Sequence, residues 1–130
     1  MDRKWTFVAI GALFWAFGAM AIDWLDPVLF DGGAMQALFL LLNFALAGVS
    51  LPLFARLTGR TRHDMLVPTA IMAMPALLMD GLAVSFVPGL YGDTDAELCA
   101  AGGLLLFAFW SFFFFALLWH RPFATAVAAR

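Results

Sequence analysis

Polar residues in this 130-residue chain fall into short clusters. The apolar stretches between them lack the two-residue alternation of a half-buried strand. Four such stretches stand out, at residues 5–22, 34–55, 65–87 and 98–119. The first holds 18 residues without a charge and stops at Asp23; the second stops at Arg56; the third is interrupted only by Asp80. A hydrocarbon layer of about 30 Å takes roughly 20 residues of helix at about 1.5 Å each. With no water there to bond the backbone, apolar runs of this length satisfy their own N–H and C=O groups only as helices. The pattern predicts an all-α membrane protein, a left-handed bundle of four transmembrane helices forming one domain over residues 1–130.

The connections carry the chemistry of helix starts and turns. Thr94-Asp95-Ala96-Glu97 has the spacing of a capping box, a hydroxyl at the cap and a carboxylate three residues on. Thr61-Arg62-His63-Asp64 repeats it, and with Asp64 as the cap of the third helix, Pro68 falls in the first turn, where a missing N–H costs little. Asp26-Pro27 and Gly32-Gly33 predict turns between the first two spans. Asp2-Arg3-Lys4 before an apolar run and Ala19-Met20-Ala21 after it also match a secretory signal peptide. That run exceeds the usual length of about 7–15 residues, and bulky Trp15 and Phe17 crowd the small-residue site, so it is read as a retained span.

Charge adds a direction. Arg3, Lys4, Arg56, Arg60, Arg62, Arg121 and Arg130 all lie at the N-terminus, the second connection or the C-terminus; with Asp2 and Asp64 this side nets +5. The other two connections hold Asp23, Asp26, Asp31, Asp93, Asp95 and Glu97 and no base, −6, and Asp80 completes the formal −2. Short loops rich in Lys and Arg stay cytoplasmic. Both termini are therefore expected on the cytoplasmic side of a cell (inner) membrane, N-in and C-in. Hydrophobic types make up 65% and charged types 12%, about half the charge of a soluble domain. Such a chain cannot cover a water-facing surface, and it is too apolar for disorder. The mild acidity gives no reason to expect nucleic acid. A single cysteine, Cys99, closes no intrachain disulfide.

Asp80 is the residue that chemistry singles out. It lies about 10 Å below the outer interface, and an acid at mid-helix costs about 2.5–3.5 kcal/mol on insertion scales, which turns it away from lipid. Ala73, Ala76, Asp80 and Ala83 share one face at helical spacing, a strip that admits a close neighbour. Pro75 removes a backbone hydrogen bond and predicts a kink or hinge. No Lys, Arg or His lies inside a span, so the expected partners are neutral: Asn43 at similar depth on the second span, and the indole N–H of Trp15 on the first. Without a counter-charge, desolvation favours the neutral acid, so Asp80 is expected to be protonated and hydrogen-bonded at neutral pH. It then acts either as a polar lock on helix packing, the commoner role, or as the coupling acid of a proton- or cation-linked site. Asn43, Ala47 and Ser50 on the second span, and Ala9, Ala12, Ala16 and Ala19 on the first, read as helix contacts rather than a pore lining.

Other candidates reduce to ordinary roles. Met65, Met72 and Met79 recur every seven residues with soft thioethers that suit Cu(I), but no span adds cysteine or histidine, so they read as core filler. The outer acids lack calcium-loop spacing and read as a hydrated rim. His63 and His120 sit at span ends rather than at haem depth. Trp5, Trp24, Tyr91 and Trp119 fall where interfacial aromatic belts belong. No nucleophile–base set, zinc-protease motif or phosphate loop occurs, so no catalytic residue, metal or cofactor is assigned and no enzyme is expected.

The segment from Met74 through Pro75, Ala76, Met79, Asp80, Gly81 and Ala83 to Val84 resembles a stretch in a family of short uncharacterised bacterial four-span membrane proteins, a domain of unknown function. Phe14-Trp15 and Gly102-Gly103-Leu104-Leu105 are compatible with that resemblance, which implies four helices and a membrane address but no activity. The chain is also similar to small multidrug-resistance exporters in length and span count. Those carry their essential glutamate in the first helix, where this chain has no acid. The expected role is a non-enzymatic accessory, assembly or helix-packing subunit, set in the lipid bilayer beside partner membrane subunits or further copies of itself. The alternative is a small oligomeric proton- or ion-coupled transporter using Asp80, with Pro75 as hinge.

Overall fold

A computed structural model describes residues 3–29 and 33–120; the expected roles of Asp2, Asp31, Gly32, Arg121 and Arg130, and of the side chains of Arg3 and Asp26, lie outside the described residues. Four long helices dominate them: α1 (Arg3–Leu29), α2 (Ala34–Leu57), α3 (Leu66–Phe86) and α4 (Asp95–Trp119), with no strand among the described residues. Each is long and apolar enough to cross a membrane. Short 3-10 turns at Arg62–Asp64 and Pro88–Leu90 precede and follow α3.

The ends of the helices follow local chemistry, with two departures from expectation. The box at the start of α4 is complete: Thr94 Oγ1 accepts from the Glu97 N–H at 3.3 Å, and Glu97 Oε2 accepts from the Thr94 N–H at 2.9 Å. The second box does not cap α3. Thr61 Oγ1 instead donates to Asp64 Oδ2 at 2.7 Å across the 3-10 turn, and α3 starts at Leu66 behind Met65, with no side-chain cap. Asp64 stops short of the helix with its carboxylate already bonded, while Pro68 does fall in the first turn. Asp26-Pro27 does not end α1, which continues to Leu29; Pro27 lies in the final turn, where losing one backbone bond breaks little of the ladder. At the end of α2, Gly59 takes the left-handed φ of 64°, which only glycine adopts cheaply. The Arg60 N–H then reaches the Ala55 carbonyl at 2.8 Å and the Gly59 N–H that of Arg56 at 3.1 Å, a Schellman motif. Pro52 and Pro75 both sit inside helices that continue through them.

The helices associate as two tight pairs, α1 with α3 and α2 with α4, while α1 and α2 touch sparingly. The α1–α3 seam is a backbone contact: a Cβ at Gly11 would collide with the Met72 carbonyl oxygen. The α1 contact face runs through Phe7, Gly11, Ala19 and Ile22, all buried, and the half-buried Trp15. The expected alanine stripe is thus only partly a contact, since Ala9 and Ala12 are exposed; the close approach at Gly11 selects the face next to them. On α3, Ala73, Ala76, Asp80 and Ala83 are buried as their spacing predicts, and on α2 so are Ala47 and Ser50.

Two cores close the bundle. One gathers Phe7, Leu51, Ala55, Met65, Met72 and Ala116. The other gathers Ala19, Ile22, Ala83, Tyr91 and Ala101. The first lies at the end carrying Lys4, Arg56, Arg60 and Arg62, and the Arg60 guanidinium stands 5.5 Å over the Phe7 ring. The second lies at the end carrying Asp23, Asp93, Asp95 and Glu97. Large apolar side chains such as Trp24, Phe17, Val49, Met74 and Leu117 cover the outside, each at least 64% exposed, the surface expected of a protein whose solvent is lipid.

Candidate functional site

Asp80 is 8% exposed and lies on the inner face of α3. Its Oδ1 accepts two hydrogen bonds, from the Trp15 indole N–H at 2.8 Å and from the Tyr91 hydroxyl at 2.5 Å. The same indole N–H lies 3.1 Å from the Tyr91 oxygen. One carboxyl oxygen therefore joins α1, α3 and the connection into α4. Each of these bonds satisfies a donor that would otherwise be stranded at membrane depth, where an unmet group costs several kcal/mol.

The neutral-donor expectation holds for Trp15 and fails for Asn43. Asn43 Nδ2 donates to the Phe39 carbonyl of its own helix at 3.2 Å, and α2 packs on α4 rather than α3, so Asn43 faces Asp80 across a gap. Tyr91 takes the place foreseen for Asn43. It is 1% exposed, not part of an outward aromatic belt. The 3-10 turn at Pro88–Leu90 turns the chain back after α3 and carries the phenol inward. The signal that would have found it is Val87-Pro88-Gly89: a helix stop and reversal directly after the short third span, which moves residue 91 back towards the depth of Ala83. Burial, and then the hydrogen bond and charge of Asp80, push the Tyr91 phenol above its ordinary value, so it remains a donor. Trp5 and Trp24 do stand outward, 64% and 84% exposed.

Between the two cores lies a cavity of about 450 Å³, walled by all four helices. Its polar wall groups are Trp15, Asn43, Thr69 and Asp80; aromatic and aliphatic side chains supply the rest. Ala73 and Ala76 form part of the α3 wall, whereas Ala83 lies in the core beside it. A small second pocket of about 100 Å³, bordered by Asp23, Tyr91 and Asp93, lies at the acidic end. Tyr91 thus stands between that pocket and Asp80.

The remaining candidates do not assemble into a site. Met65 and Met72 are buried while Met79 is 38% exposed, so the seven-residue repeat makes no ligand cluster. Among the described residues no three His, Cys, Asp or Glu side chains gather as metal ligands. His63 and His120 do meet at the basic end, which the spacing did not reveal: His63 Nδ1 lies 2.6 Å from the Trp119 carbonyl oxygen, and His120 Nδ1 lies 3.3 Å from that of His63. They clasp the 3-10 turn to the end of α4.

No known family pattern matches the chain, and comparison with curated proteins and with solved structures likewise finds no match.

Proposed function

We propose that this chain is a non-enzymatic multi-pass protein of a bacterial inner membrane, with both termini cytoplasmic, that serves as an accessory or assembly subunit packing against partner helices. The observation that carries the reading is the pair of hydrogen bonds donated to Asp80 Oδ1: the acid within the third span is engaged in tying elements together. Sorting of the described bases and acids to opposite ends supports the orientation. A polar lock of this kind needs an acceptor, not a charge. Asp80→Asn, whose amide oxygen still accepts from Trp15 and Tyr91, is expected to keep the fold and the function. Purification of the tagged chain in mild detergent tests the role: a stoichiometric larger complex supports it, and a clean homodimer speaks against it. A tag after Arg130 that is reachable from outside intact cells contradicts the orientation.

A second reading, a proton- or ion-coupled transporter working as an oligomer, is favoured by one arrangement. Asp80 borders the central cavity, and its partner Tyr91 borders the polar pocket beside Asp23 and Asp93. In that reading Asp80 is the coupling acid and Pro75 the hinge. Asp80→Asn then folds normally but abolishes proton-coupled flux in vesicles, which separates the two readings.

A further inference from the structure

Polar side chains inside the spans mostly satisfy themselves on their own helix. Ser50 Oγ donates to the Leu46 carbonyl at 2.6 Å, Ser111 Oγ to that of Phe107 at 2.8 Å, and Asn43 Nδ2 to that of Phe39 at 3.2 Å. Thr69 departs from this habit. It is 2% exposed and its hydroxyl has no partner among the described residues. A buried hydroxyl without a bond costs about 1–3 kcal/mol, so its position calls for an account. Thr69 stands in the wall of the central cavity. Threonine shares its helical χ1 between two rotamers; the oxygen is enclosed as it stands, so a ligand reaches it after a turn about that bond. A further acceptor in the same wall has no donor among the described residues: Asn43 Oδ1, since only the amide nitrogen is bonded.

The cavity's shape and opening narrow what fits. Thr69 and Asp80 lie 11 residues apart on one face of α3, about 16 Å at the rise of a helix, so the space is a slot along that helix. Its volume of about 450 Å³ is within the usual range for small-molecule sites, about 300–1,000 Å³. Phe17 of α1 and Leu42 and Leu46 of α2 line it while being 73%, 58% and 50% exposed. The mouth therefore lies between α1 and α2, neighbours that touch only sparingly, and it faces lipid rather than either end.

We infer that this slot is a binding site for a neutral, single-chain lipophile of about a dozen carbons bearing one hydroxyl group, taken laterally from the bilayer between α1 and α2. The hydroxyl is the group that fits: Asn43 Oδ1 and Thr69 Oγ1 both accept a hydrogen bond, and a long-chain alcohol brings a donor to one of them without the desolvation cost of a buried charge. The inference does not rest on the accessory role and stands or falls separately from it.

The test uses the full chain in phosphatidylcholine vesicles, irradiated with a diazirine-bearing analogue of dodecanol, with labelled residues mapped by mass spectrometry. Labelling is expected to concentrate on slot residues such as Phe39, Ala76 and Phe109, and to be displaced by dodecanol several-fold more effectively than by dodecane. Ala108→Phe, which puts a ring into the slot, is expected to remove the displaceable labelling. The pair Thr69→Val with Asn43→Leu keeps the shape and is expected to erase the preference for alcohol over alkane, a loss of about three- to tenfold, with thermal unfolding in detergent unchanged. If Ala108→Phe fails to fold, the Thr69/Asn43 pair decides alone. Labelling spread evenly over outward Leu41, Val49 and Leu118, equal displacement by alkane and alcohol, or preferential displacement by dodecylammonium would each overturn the inference, the last by making the slot a cation site.

Discussion

The two helix seams solve the same packing problem by different means. Along α1–α3 the backbones themselves touch, with Gly11 against the Met72 carbonyl, and a polar bond from Trp15 to Asp80 is laid across the contact. Along α2–α4 rings fill the space. Phe115 approaches Gly48, and Phe44 packs on Phe115, Phe114 and Trp110 with ring centroids 4.7, 5.7 and 6.0 Å apart. A backbone contact has nothing to rearrange, whereas a ring at a half-buried edge can turn or slide. The first seam is thus specified by shape and one hydrogen-bond network, the second by bulk.

The contrast breaks first, if it breaks, at Gly11. Gly11→Ala is expected to cost about 3 kcal/mol, the upper end for overpacking, read as a lowered midpoint in a detergent denaturation series. Next comes Asp80→Leu, which strands the Tyr91 O–H and leaves the Trp15 N–H only the Tyr91 oxygen at 3.1 Å; it is expected to cost about 2 kcal/mol, while Asp80→Asn stays near the parent. Tyr91 supplies a smaller, pH-dependent effect. It is the only tyrosine in the sequence, so phenolate absorbance reports it alone. Its ionisation is raised above the ordinary 10.0 by burial first and Asp80 second. Because the folded state then holds its proton longer than the unfolded state, this contribution is complete below about pH 10 and is lost as pH rises further. The folded protein is expected to show little phenolate at a pH where the unfolded chain is half ionised. Smallest is Gly48→Ala, within about 0.5 kcal/mol of the parent, because the Phe115 ring 3.0 Å from the added methyl can yield. Equal losses at Gly11 and Gly48 would erase the distinction between the seams.

The four helices were legible because span length and the absence of charge are properties of single segments. Trp15 was also legible as a partner of Asp80, since an unpaired acid needs a donor and depth can be counted along each span. Tyr91 stands in the place expected of Asn43 for a reason that depth does not encode. Which helices become neighbours is decided by the close approach at Gly11 and by the rings between α2 and α4, so a residue at the right height ended up across a cavity. Tyr91 looked interfacial by its distance from the span and was brought inward by the turn at Pro88–Leu90. The cavity itself is a property of four surfaces that do not quite meet, and no one segment announces it.

Solid at both ends and hollow between, the bundle behaves as a stoppered vessel with a window in its side. The clusters around Phe7 and Tyr91 fill its two ends. In the inferred binding mode the occupant exchanges among the acyl chains, so housing it would leave the electrical insulation of the surrounding bilayer intact.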